Sequence, residues 1–96
     1  MSSIALQREH GLGQEGALDV ARRLAQELES GYGMRCEWQG DVLRFERTGV
    51  SGEMTVSPDR IELNAELGFL LSAFKERIED QLNRNFETYF GPPQAG

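Results

Sequence analysis

Residues 34–46, MRCEWQGDVLRFE, decide the fold. Met34, Cys36 and Trp38 alternate with Arg35, Glu37 and Gln39. After Gly40-Asp41, Leu43 and Phe45 alternate in the same way with Arg44 and Glu46. Successive side chains of a strand point to opposite faces, so each run has one apolar and one polar side. The tight turn between them makes the pair an antiparallel hairpin.

The pattern continues outward from this hairpin. Thr48-Gly49 begins a second turn, after which Met54 and Val56 alternate with Glu53, Thr55 and Ser57. Ser57-Pro58-Asp59 is a strong turn signal. Beyond it Ile61, Leu63, Ala65 and Leu67 alternate with Glu62, Asn64 and Glu66. On the N-terminal side, Ser3 to Glu9 places Ile4 and Leu6 opposite Ser3, Ala5 and Gln7. Five strands with one apolar face each predict an antiparallel sheet covered on a single side.

Two helical patterns supply the cover. From Ala17 to about Ser30, Ala17, Val20, Ala21, Leu24 and Leu28 recur at helical spacing, with Arg22, Arg23, Gln26 and Glu29 on the wet side. Gly13 can open this helix, with Glu15 and Asp19 near its positive end, and Gly31 can close it in a left-handed conformation. The second pattern runs from Phe69 to Phe90. At about 100° per residue, Leu71, Phe74, Ile78, Leu82 and Tyr89 form its sheet-facing stripe. The order β-α-β-β-β-β-α predicts an α+β two-layer sandwich, a five-stranded antiparallel sheet with both helices on one face. The expected strand order is 1-5-4-3-2, the first helix carrying the chain across to the far edge.

A helix from Phe69 to Phe90 would be about 33 Å long, against about 20–23 Å for a strand of six or seven residues. An overhang would leave Phe86, Tyr89 and Phe90 without sheet beneath them. Phe69 lies off the stripe, set either as a local anchor against the first helix or strand, or as surface. Phe69, Phe86, Tyr89 and Phe90 are therefore the candidate interaction surface, for a second copy of the chain in a homodimer or for another partner.

At 96 residues, 39% of them hydrophobic and 27% charged, the chain reads as one α+β domain over residues 1–90 with a flexible tail over 91–96. A net charge of −6 opposes binding to nucleic acid or anionic lipid. The single cysteine, Cys36, suits a reducing cytoplasm. Neither an export signal nor a membrane span is expected.

Reactive residues are sparse, and neither a catalytic role nor a cofactor is expected. The run GVSG at 49–52 lacks the second glycine of a nucleophile elbow, Glu53 standing in its place. Cys36 and His10 could form a nucleophile–base pair, but the pattern puts Cys36 on the apolar face as a buried thiol. One Cys and one His match no zinc-ligand spacing, and the acidic residues follow no calcium-loop pattern. Glu62 and Glu66 share a strand face, but it is the solvated one. The glycines before the first helix fit no phosphate loop.

Three stretches together carry a family resemblance: REHGL at 8–12, WQGDVLRFERTGVSG at 38–52 and LGFLLSAFKERIE at 67–79. The chain resembles the polyhydroxyalkanoic acid system proteins of bacteria, from about Ile4 to Tyr89. It departs from them at Gly13-Gln14-Glu15-Gly16, where the family tends to place a proline or an acidic helix former. The resemblance implies a link to polyhydroxyalkanoate storage granules or granule proteins in the cytoplasm, and implies no reaction or catalytic residue. A second expectation is a carrier of a small hydrophobic ligand, lipid or hydroxyacyl, in a sheet-and-helix grip.

Overall fold

The computed structural model describes residues 2–91. The expected tail over 91–96 lies, beyond Gly91, outside the described residues. In chain order the elements are β1 (Ser2–Glu9), α1 (Gly13–Tyr32), β2 (Arg35–Gln39), β3 (Val42–Arg47), β4 (Val50–Val56), β5 (Arg60–Leu67) and α2 (Lys75–Phe90), with a 3₁₀ turn at Ser72–Phe74 leading into α2. The strands form one antiparallel sheet in the order β1-β5-β4-β3-β2, the order expected from a first helix that carries the chain across to the far edge.

Register follows from the pleat. Leu6 faces Leu63, Leu63 faces Met54, Met54 faces Leu43 and Leu43 faces Trp38, so one apolar row crosses all five strands. A one-residue slip would send this row into water. Ile4, Ala65, Gly52, Phe45 and Cys36 make the neighbouring row. Gly52 is there for space: a Cβ on it would lie 2.6 Å from the Phe45 ring and 2.4 Å from the Asn64 carbonyl oxygen. The opposite face carries exposed Glu37, Arg44, Glu53 and Asn64 and stays uncovered.

Both helices lie on the apolar face. Ala17, Leu18, Ala21, Leu24, Ala25 and Leu28 of α1 are buried, a wider stripe than the sequence pattern outlined. The helix also runs past Gly31. Its stop is Gly33, at φ 67°, whose N–H bonds to the Glu29 carbonyl while Met34 N–H reaches that of Leu28. Two bonds of this kind close a helix only where the chain turns left-handed, and Gly33 does so at little cost.

The second helix begins later than its periodicity suggested. Gly68 N–H bonds to the Gly49 carbonyl at 2.8 Å, and the Gly68 carbonyl accepts from Leu71 and Ser72 N–H. The chain therefore turns sharply at residues 69–71 before the first α-helical turn at Lys75. With 16 residues, α2 is about 24 Å long, close to the length of the eight-residue strands β1 and β5. The overhang does not exist.

That shift also rotates the buried face. Angles counted from Leu71 and Phe74 assumed α-geometry where the chain is turn and 3₁₀ helix. Counted inside α2 alone, Ile78, Leu82, Phe86 and Phe90 form an i,i+4 ridge. Phe86 is the fully buried member, 0% exposed, and Phe74 is instead exposed.

Candidate functional site

The four aromatics expected to form a surface divide in three ways. Phe86 is sealed in the core and offers nothing to a partner, a correction to that expectation. Tyr89 and Phe90 are half-buried and packed against the core. The seat of Phe90 includes His10 in the segment after β1, which the overhang argument omitted. The Phe90 ring lies 5.9 Å from Phe86 edge-on and 6.1 Å from the buried His10 ring. Phe69 alone stands out, 84% exposed, which overturns the anchor reading.

His10 is held by its own hydrogen bonds. Its Nδ1 accepts from Leu12 N–H at 3.3 Å, which leaves Nε2–H to donate to the Ser57 carbonyl at 3.0 Å. Nearby, the Arg8 guanidinium donates to Asn83 Oδ1 of α2 at 2.6 Å. Arg8 thus fastens the middle of α2 to the β1 edge, and the contact of Phe90 with the His10 ring seats its last turn beside the end of β1.

Phe69 has company the sequence did not single out. Leu70 is 82% exposed and Phe74 is also exposed, so the turn into α2 presents three large apolar side chains to solvent. Beside this corner a half-open cavity of about 370 Å³ runs between the helices and the sheet. Leu28, Tyr32, Met34, Leu71, Ile78 and Leu82 are among its walls, and Ala65, Gly49 and Val50 line it beside them. The cavity follows from the turn: Gly68 bonds to Gly49 and lifts Phe69 and Leu70 off the sheet, while the small Ala65 and Gly49 leave the space below unfilled.

Few polar groups reach the cavity, and none of its lining residues is acidic. Arg47, Gln81, Asn85 and the hydroxyls of Tyr32 and Thr48 supply the donors. Asn85 Nδ2 donates to the Tyr32 hydroxyl at 3.4 Å, and Gln81 Nε2 donates to Asn85 Oδ1 at 3.3 Å. Arg47 Nη1 donates to the Tyr32 carbonyl at 2.7 Å, bringing a positive charge to the carbonyl end of α1. Among the described residues Arg47 makes no ion pair; the three present are Arg22–Asp19, Arg44–Glu53 and Arg60–Glu62. A depression of about 690 Å³ on the uncovered sheet face is different in kind, lined by Arg35, Arg44, Glu37, Glu46, Glu53 and Glu66 among others.

The residues weighed for chemistry are kept apart. His10 follows β1 and Cys36 lies on β2, at opposite edges of the sheet. Four strand spacings separate the edges by about 19 Å. The half-buried Cys36 thiol donates to the Ala25 carbonyl at 3.8 Å. Burial, and then the charge of Glu29, push its pKa above the ordinary 9.0, the opposite of an activated thiol. Ser51 is exposed, between Glu46 and Glu66 on the neighbouring strands. Among the described residues no three of His, Cys, Asp and Glu converge as metal ligands. No helix there is long and apolar enough to cross a membrane.

Compared with known proteins, residues 4–90 match the model of one family, described as "Putative polyhydroxyalkanoic acid system protein". No curated protein and no solved structure matches the chain.

Proposed function

Because the chain belongs to the polyhydroxyalkanoic acid system protein family, we propose that it acts at the surface of the polyester storage granule. Its attachment is the exposed corner at Phe69, Leu70 and Phe74, and its role there is binding or regulation without a catalytic step. The observation that carries this reading is the exposure of Phe69 and Leu70, 84% and 82%, side by side on a turn. Adjoining apolar side chains left in water mark contact surfaces. A net charge of −6 favours a neutral polyester over an anionic membrane.

Flotation of granules from accumulating cells tests it. Wild-type protein should rise with the granules, and the double variant Phe69→Ser, Phe74→Ser should remain in the supernatant. Wild-type protein that stays in the supernatant whatever the granule content would refute the reading. Should the corner instead join two copies, the same variant would lower the mass in solution, which light scattering measures directly.

The apolar cavity beside the corner favours a second reading, a carrier of a small hydrophobic ligand. Its volume of about 370 Å³ falls within the ~300–1,000 Å³ usual for small-molecule sites.

A further inference from the structure

We infer that the cavity between α1, α2 and the β3–β4 turn binds a single medium-length alkyl chain ending in a carboxylate, with Arg47 as the group that recognises the anion. This proposal rests on the carrier reading and adds the chemistry of the ligand.

The walls determine the tail. Leu28, Met34, Val50, Leu71, Ile78 and Leu82 offer aliphatic contact and little hydrogen bonding, so the buried part of a ligand must be apolar. A space of about 370 Å³ suits one chain and is too small for a lipid with two. Leu70 and Arg47 both line the cavity and are exposed, so one end of the ligand can reach solvent.

The polar groups determine the head. Among the described residues, Arg47 is the only ionic side chain lining the cavity. Its bond to the Tyr32 carbonyl uses one of its five N–H donors and offsets the partial negative charge of the α1 end, which would otherwise repel an anion. The remaining donors match a carboxylate, which guanidinium can hold with two parallel bonds. The Tyr32 hydroxyl accepts from Asn85, so its own proton is available to donate. The Thr48 hydroxyl and the Gln81 and Asn85 amides can donate as well as accept, Arg47 only donates, and among the described residues lining the cavity none carries negative charge. An alkylammonium ligand would face Arg47 with no counter-charge.

Titration calorimetry of purified protein with octanoate, octanol and octylamine, free of granules, tests the proposal. Octanoate should bind saturably, octanol at least about tenfold more weakly, and octylamine not measurably. Arg47→Gln, at an exposed position, should keep the wild-type melting temperature, lose about tenfold in octanoate affinity and leave octanol unchanged. Octanol binding as tightly as octanoate, or an Arg47→Gln variant with unaltered octanoate affinity, would overturn the anion assignment alone. Failure of all three probes to bind would overturn the carrier reading itself. The Phe69→Ser, Phe74→Ser variant should keep octanoate affinity, because neither residue lines the cavity.

Discussion

Phe69 and Phe86 are the same residue type, 17 positions apart, with opposite roles. Phe86 is wholly enclosed; truncating it to Ala should cost about 3–5 kcal/mol, a large share of the stability of a domain this size. Phe69→Ser should change stability by no more than about 0.5 kcal/mol. Urea unfolding of the two variants checks both. Gly52→Ala should be worse than its single methyl suggests, losing about 1–3 kcal/mol in the same assay, because neither the Phe45 ring nor the β5 backbone can yield freely. Cys36 adds a pH dependence. Its pKa is raised in the folded protein and returns to the ordinary value on unfolding, so the folded state holds the proton more tightly. The resulting stability is complete below 9.0, the unfolded value, and is lost as pH rises from there through the folded pKa. The wild-type urea midpoint should fall in that window by more than that of Cys36→Ala. Iodoacetamide should label the native thiol at neutral pH more slowly than the unfolded one.

At the scale of elements, strands were more legible than helix ends. Alternation fixes which side of each strand is buried without reference to any other segment, so Ile4, Leu43, Met54, Ile61 and Leu63 were placed from residue order alone. A helix face depends on where the count begins. Leu71 and Phe74 read as the first turn of α2, but one hydrogen bond from Gly68 to Gly49 anchors that stretch as a turn, and no periodicity records a bond between residues so far apart. The angular error carried through to Phe86. The cavity was illegible for the same reason, being the space this turn leaves beneath it. Gly49 is where the arrangement can be broken. It stands at φ 87°, and a Cβ there would meet the Leu71 side chain at 3.0 Å. Gly49→Ala should lower stability by about 1–2 kcal/mol and should also weaken octanoate binding, both measurable on one preparation.

For the whole molecule, charge and apolar surface point to different conditions of attachment. Ten basic residues against sixteen acidic ones leave the protein acidic, and its exposed apolar corner carries no charge of its own. Granule attachment through Phe69, Leu70 and Phe74 should therefore survive about 1 M salt, where the Debye length falls to about 3 Å. A granule wash in high salt that releases the protein would mean that ionic contacts hold it. The two-layer architecture was evident from composition and order, since five half-apolar strands and two amphipathic helices have few other ways to hide their greasy sides. Nothing in single residues indicated the granule; that part came from the family.

The pairing of β1 with β5 has a consequence for synthesis. Glu9 meets Arg60 and Ile4 meets Ala65, so β1, made before the other four strands, must wait for the last of them before it finds its neighbour. Until the ribosome has released residues 60–67, β1 carries Ile4 and Leu6 with no strand beside it, and the β2–β5 meander can assemble without it. Such distant closure slows folding compared with a helical bundle of equal size. The sheet's earliest strand is among the last of its strands to be secured.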